Sequence, residues 1–167
     1  MVRPEIDEVL RTHKQHHQMS CSVSALEFVA KLYGLIQLDK FPLQEDPKNQ
    51  HNGFDDKDLQ DAVGLSGSSE LYEPQAAINL IEAETNLDRF PIVSFYMFSD
   101  TGQPLGYHIH VAAKQSGQSI LIDPANGLVV APTTEDLATA IKYYSEVDPI
   151  RKTIHILTLR PTHNEAL

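Results

Sequence analysis

The feature that most constrains the fold is a change in hydrophobic spacing near Phe90. Before it, apolar residues recur at helical spacing, most clearly over residues 19–33. After it, runs rich in β-branched and aromatic residues, beginning with residues 90–98, are typical of strands. Because helices come first and strands later, without regular alternation, the sequence predicts an α+β fold.

Turn and capping residues divide the chain further. Gly34 is expected to end the 19–33 helix, and Asp55 or Asp56 can cap a short helix that Gly64 closes. Residues 35–53 are interpreted as a surface connection with a helical turn near 35–38, and residues 64–69 as a flexible break. The remaining predicted helices cover about 5–10, 73–87 and 134–141, and the later predicted strands 107–114, 119–123, 128–130 and 153–159.

Length and charge limit the classes of function. A chain of 167 residues fits one domain over 1–167, with a leading segment over 1–14 and a polar tail over 161–167. A net charge of −10 argues against nucleic-acid binding, and the absence of a long apolar run argues against a membrane partner. The acidic start does not resemble a signal peptide, so a cytoplasmic location is expected, with signal-independent export left open.

Cys21 is the only cysteine in the chain, so no internal disulfide can form. It falls at the predicted start of the 19–33 helix, where unpaired backbone N–H groups and the helix dipole favour a thiolate. The alternative for such a residue is a small, buried and inert side chain. Its neighbours therefore decide between the two interpretations.

A predicted hairpin supplies a base and an acid. If Ser116-Gly117 is its two-residue turn, His110 lies opposite Asp123, and His108 lies two residues along on the same side. A turn displaced by one residue would place His108 opposite Asp123 instead. A carboxylate beside an imidazole orients the ring and stabilises the imidazolium, and both histidines stay candidates, with His110 preferred.

Cys21, a histidine and Asp123 would provide the nucleophile, base and orienting acid of thiol catalysis. An oxyanion donor is also required, and the Cys21 backbone N–H is one candidate. The side-chain amide of Gln15 is a second, with Gln18 as its competitor.

With these residues the sequence resembles the papain-like cysteine peptidase superfamily, and within it the bacterial C39-like branch. Gln15 stands six residues before Cys21, a helix follows the cysteine, and the histidine and an Asp-Pro strand end come in the family's order. The resemblance covers about residues 15–159. It implies a papain-like fold in which a helical N-terminal part, with the cysteine on its central helix, packs on an antiparallel sheet.

The expected function is a cysteine hydrolase that cleaves an amide, peptide or isopeptide bond through a Cys-His-Asp triad. Acyl transfer or deamidation would use the same residues, and a catalytically inactive binding module is a further alternative. The expected partner is a peptide or protein substrate, or a small amide, and no cofactor or metal is required. A zinc site built on His13, His17 and Cys21 is a weaker possibility.

Overall fold

The computed structural model describes residues 2–18, 20–49 and 52–163. Met19 of the predicted helix, residues 50–51 of the predicted connection and residues 164–167 of the predicted tail lie outside these ranges. The helices are α1 (Ile6–Thr12), α2 (Cys21–Leu32), α3 (Lys57–Ala62), α4 (Pro74–Asn86) and α5 (Thr134–Glu146). The strands are β1 (Leu65–Tyr72), β2 (Ile92–Phe98), β3 (Pro104–Gln115), β4 (Gln118–Asp123), β5 (Leu128–Ala131) and β6 (Ile154–Pro161).

The six strands form one sheet in the order β1-β6-β2-β3-β4-β5, and every neighbouring pair is antiparallel. The α+β class expected from the sequence is therefore confirmed. Side chains alternate between the two faces of the sheet, as the pleat requires. One face packs against α2 with α1 and α3, and the other against α4 and α5. None of the helices in the described ranges is long and apolar enough to cross a membrane.

Helix α2 is the most buried helix and crosses β3. All its residues after Cys21 are buried, and Val23, Leu26 and Phe28 belong to the core on that face of the sheet. The predicted end at Gly34 is confirmed, because this glycine has a φ of 75°, which favours a residue without a side chain. The sheet and the helix together fix Cys21 at one end of the core.

The predicted hairpin is also confirmed. Gln115 pairs with Gln118 across a turn made by Ser116 and Gly117, whose φ values are 53° and 76°. Two successive positive φ values are those of a type I′ turn, which suits the twist of paired strands. The described β3–β4 register continues to Val111 opposite Ile122, whereas β3 itself extends back to Pro104. The first half of β3 therefore runs past the end of β4.

Two local predictions are wrong. Residues 64–69 were expected to be a flexible break, but residues 65–69 belong to the strand β1, which pairs along its full length with β6. Residues 35–38 form turns and bends without a helix. The strand was missed because its Gly- and Ser-rich sequence lacks β propensity, and pairing with a distant strand overrides that local preference.

Gly67 of β1 allows the backbone of β6 to approach closely. A Cβ at this position would collide with the carbonyl oxygen of Thr158 and lie 2.9 Å from Leu159 Cδ2. We expect Gly67→Ala to lower the free energy of unfolding by about 1 to 3 kcal/mol, the usual cost of overpacking. Urea unfolding would measure it. Ser66→Ala, at an exposed position of the same strand, should change stability by less than about 0.5 kcal/mol. Equal stability of the two variants would contradict this explanation.

Candidate active site

A cleft of about 540 Å³ lies where the segment before α2 meets the part of β3 that extends past β4. Gln15, Gln18 and Cys21 line one side, and His108 lines the other. Pro124, which directly follows β4, also lines the cleft. Four of the sequence-predicted or competing site residues are therefore brought to one cavity.

Cys21 is the first residue of α2, as the sequence predicts. Its side chain is partly exposed and packs against the edge of the core. Among the described residues, none accepts a hydrogen bond from its backbone N–H. This N–H group is therefore free to bind a negatively charged oxygen in the cleft.

His108 and Asp123 are in contact. His108 Nε2 lies 3.5 Å from Asp123 Oδ2, and the His108 side chain is 33% exposed. Burial opposes ionisation of Asp123, but hydrogen bonds from His108, from the Asn126 side chain and from the Ala125 N–H outweigh it and lower the pKa of the carboxyl to about 2. The carboxylate is thus held ionised and oriented. Since it approaches Nε2, the other nitrogen, Nδ1, remains for proton exchange with a nucleophile.

His110 occupies a different environment from His108. It is 3% exposed and packs in edge-on contacts against Phe95, Tyr144 and His108. Burial, reinforced by His108, lowers the pKa of its imidazole to about 4 despite the opposing effect of Asp123. No described residue makes a hydrogen bond with its buried Nδ1 atom. Continuing the β3–β4 register by one pair would put His110 opposite Asp123, but His108 is the histidine that contacts the carboxylate and lines the cleft. The preferred candidate, His110, is not among the residues that line it.

The cysteine and the histidines belong to opposite faces of the sheet. Ile109 and Val111 lie in the core beneath α2, and Ala112 lies in the core beneath α4 and α5. Because side chains alternate along a strand, His108 and His110 point toward α5. Within the described part of the chain, no hydrogen bond joins the Cys21 sulfur to either ring. The cleft lies at the part of β3 that extends past β4.

The Gln15 side chain lines the cleft but is occupied. Its Nε2 atom donates to the carbonyl oxygens of His17 and Gln18 at 2.7 and 3.2 Å. These bonds hold the loop that leads into α2. Action as an oxyanion donor would require this amide to turn, whereas the competing Gln18 lines the same cleft.

The histidines before Cys21 do not assemble a metal site. His13 is buried, and its two ring nitrogens contact Ser24 Oγ at 2.9 Å and Lys31 Nζ at 3.1 Å. Since both ring nitrogens of His13 already have partners, His13, His17 and Cys21 do not form a zinc site. Across residues 2–18, 20–49 and 52–163, one group of three potential ligands is close together, and it consists of His108, His110 and Asp123.

Comparison of the chain with protein-family models and with curated proteins finds no match. Sequence reasoning missed Asn126 as a partner of Asp123 and Tyr144 as a cover for His110. The Asp-Pro-Ala-Asn-Gly run did indicate a turn, and an Asp at its start commonly bonds the backbone two residues on.

Proposed function

We propose that this protein is a thiol hydrolase that cleaves an amide, peptide or isopeptide bond, with Cys21 as nucleophile and His108 as general base. The observation that carries the proposal is that Cys21 and His108 line one cleft while Asp123 contacts the Nε2 atom of the same imidazole. A papain-like fold and a C39-like relationship form part of this proposal. Peptides, proteins or small amides are its substrates, and nucleic acid is not.

In the proposed reaction, Cys21 transfers its proton to His108 Nδ1, and the thiolate attacks the carbonyl carbon. The imidazolium then protonates the leaving amine as the C–N bond breaks, which leaves a thioester on Cys21. His108 next removes a proton from water, the hydroxide attacks the thioester and releases the acid, and the imidazolium returns its proton to the Cys21 thiolate. Acylation and deacylation each end with His108 in its starting protonation state, so water is the only co-reactant needed.

Two movements would complete this site. The His108 ring, which is partly exposed and lines the cleft, must approach Cys21 while it keeps its contact with Asp123. The amide of Gln15 must exchange its two carbonyl partners for the oxyanion, or Gln18 must serve in its place. The Cys21 N–H needs no such change, because it has no described acceptor.

Alkylation of Cys21 tests the proposal directly. At about pH 6 an ordinary thiol is almost entirely protonated, whereas a thiol paired with an imidazole reacts as a thiolate. We expect iodoacetamide to react with Cys21 at least about tenfold faster than it reacts with the thiol of glutathione. The substitution His108→Gln should lower the rate at Cys21 to that of glutathione. Mass spectrometry of the intact protein over time gives the rate.

His17→Gln is the matched control, because His17 is an exposed imidazole close to Cys21 in sequence and has no role in the proposed reaction. It should retain the excess reactivity. Reaction of the wild-type thiol at the glutathione rate, or an unchanged rate in His108→Gln, would refute the catalytic pair.

A binding module that uses the same cleft without chemistry is the second candidate. It is favoured by the placement of Cys21 and the His108 ring against opposite faces of the sheet. An unreactive Cys21 in the alkylation experiment would support this function over hydrolysis.

A further inference from the structure

We propose that His108, His110 and Asp123 form a binding site for one divalent transition-metal ion, with Zn²⁺ as the best fit. One ligand atom from each of these residues lies within 4.8 Å of the other two. The second observation is that His110, although 97% buried, has an Nδ1 atom without a described hydrogen-bond partner. A buried polar atom is rarely left without a partner, and a bound cation would supply one.

The ligand set suits zinc. Two imidazole nitrogens and one carboxylate oxygen are ordinary Zn²⁺ ligands, whereas Ca²⁺ and Mg²⁺ prefer oxygen alone. His108 Nε2 and Asp123 Oδ2 are 3.5 Å apart. Neighbouring ligands around a tetrahedral zinc ion, with bonds of about 2.0 to 2.1 Å, are separated by roughly 3.4 Å. Since one atom from each of the three residues already lies within 4.8 Å of the others, small side-chain movements would let them share one ion.

The surroundings of Asp123 also fit a metal ligand. Its Oδ1 accepts the Ala125 N–H at 3.0 Å, and its Oδ2 accepts the Asn126 amide at 2.9 Å. Hydrogen bonds of this kind hold a ligating carboxylate in place and commonly increase affinity for the metal. The Oδ2 atom has a lone pair left for the ion, since a carboxylate oxygen can accept two interactions.

The three ligands differ in how deeply they are buried. The stacked rings of Phe95 and Tyr144, 3.7 Å apart, cover the His110 side. His108 is the most exposed ligand and lines the cleft. An ion would enter from the cleft, and water from the cleft would complete its coordination. Cys21 is outside the ligand group, so this site differs from one that uses the thiol.

Metal binding would compete with the chemistry proposed above, and this consequence alone rests on the proposed function. An ion bound at His108 removes the ring from proton transfer. The ion would therefore inhibit Cys21 acylation and not assist it.

The test is Zn²⁺ binding by the full chain, free of affinity tags and first treated with a chelator. Competition with a chromophoric zinc chelator should show about one ion per chain, and His110→Gln should weaken binding at least about tenfold. Asn126→Ala, at an exposed position, should weaken it about tenfold without removing a ligand. Cys21→Ser and His163→Gln should bind as the wild type does.

Three results would overturn the site: no binding by the wild-type chain, unchanged affinity in both His110→Gln and Asn126→Ala, or loss of binding in Cys21→Ser. Circular dichroism checks that each variant is folded. If His110→Gln does not fold, the zinc affinity of Asn126→Ala tests the site in its place. Co²⁺ loading should give a visible spectrum without sulfur-to-metal charge transfer. Because Cys21→Ser has no thiol chemistry, its zinc affinity tests the site separately from hydrolysis.

Discussion

Replacing Glu27 with alanine is expected to lower the free energy of unfolding by about 3 to 5 kcal/mol, because the change removes the acceptor and the counter-charge of a buried polar network. Glu27 lies on α2 and is fully buried, and its Oε2 accepts the backbone N–H groups of Leu43 and Gln44 at 2.8 and 3.4 Å. Alanine would leave these groups inside the protein without an acceptor.

Lys31, one turn further along α2, depends on the same carboxyl group. It is fully buried, and burial lowers its pKa to about 8 despite the opposing attraction of Glu27 and Asp39. Its ammonium lies 3.1 Å from His13 Nδ1 and 3.6 Å from the centre of the Phe41 ring. Burial, with Lys31 adding to it, lowers the pKa of His13 to about 3, so His13 stays neutral. Loss of Glu27 removes the larger of the two attractions, from Glu27 and Asp39, that oppose the fall in the pKa of Lys31.

Urea unfolding followed by circular dichroism measures the effect, and two controls define it. Glu27→Gln keeps an oxygen acceptor and should lose less than half as much stability as Glu27→Ala. Glu45→Ala, at an exposed position, should change the free energy of unfolding by no more than about 0.5 kcal/mol. A loss below about 1 kcal/mol in Glu27→Ala would show that the network does not stabilise the fold.

Sequence reasoning predicted the elements whose signals are local. Helix α2 followed from apolar spacing and Gly34, and the β3–β4 hairpin followed from the Ser116-Gly117 turn. Strand β1 was missed because its structure depends on β6, which is far along the chain, and on the close approach at Gly67. The burial of Glu27 and Lys31 was equally hidden, since charges four residues apart on a helix are typical of an exposed face.

The candidate site was predictable in part. Strand parity placed both histidines on the side of Asp123, and the structure brings His108, His110 and Asp123 together. Which ring contacts the carboxylate depends on side-chain rotamers, because diagonal neighbours in a sheet can meet as readily as direct ones. The alternation of side chains along β3 also held a signal that was not used. Ile109 and Val111 point away from the face of His108 and His110, so if these two apolar residues pack beneath α2, the histidines cannot.

Asp123→Asn should reduce turnover at Cys21 by about a hundredfold to ten-thousandfold, the range that general acid–base catalysis contributes. Asp123 Oδ2 approaches His108 Nε2, so the carboxylate favours the tautomer that leaves Nδ1 free to accept the thiol proton. An asparagine amide can present an N–H to Nε2 and reverse that tautomer. It also brings no negative charge to stabilise the imidazolium.

Hydrolysis of p-nitrophenyl acetate, followed by release of nitrophenolate in the presence of a chelator, measures both acylation and turnover without any metal contribution. Asp148→Asn is the matched control: Asp148 is also buried, and its carboxylate accepts two N–H groups, from the backbone of Ile150 and Arg151, but it lies outside the cleft. It should keep at least half of the wild-type rate. Because both substitutions remove one buried negative charge, equal losses would assign the effect to stability, and full activity in Asp123→Asn would remove Asp123 from the mechanism.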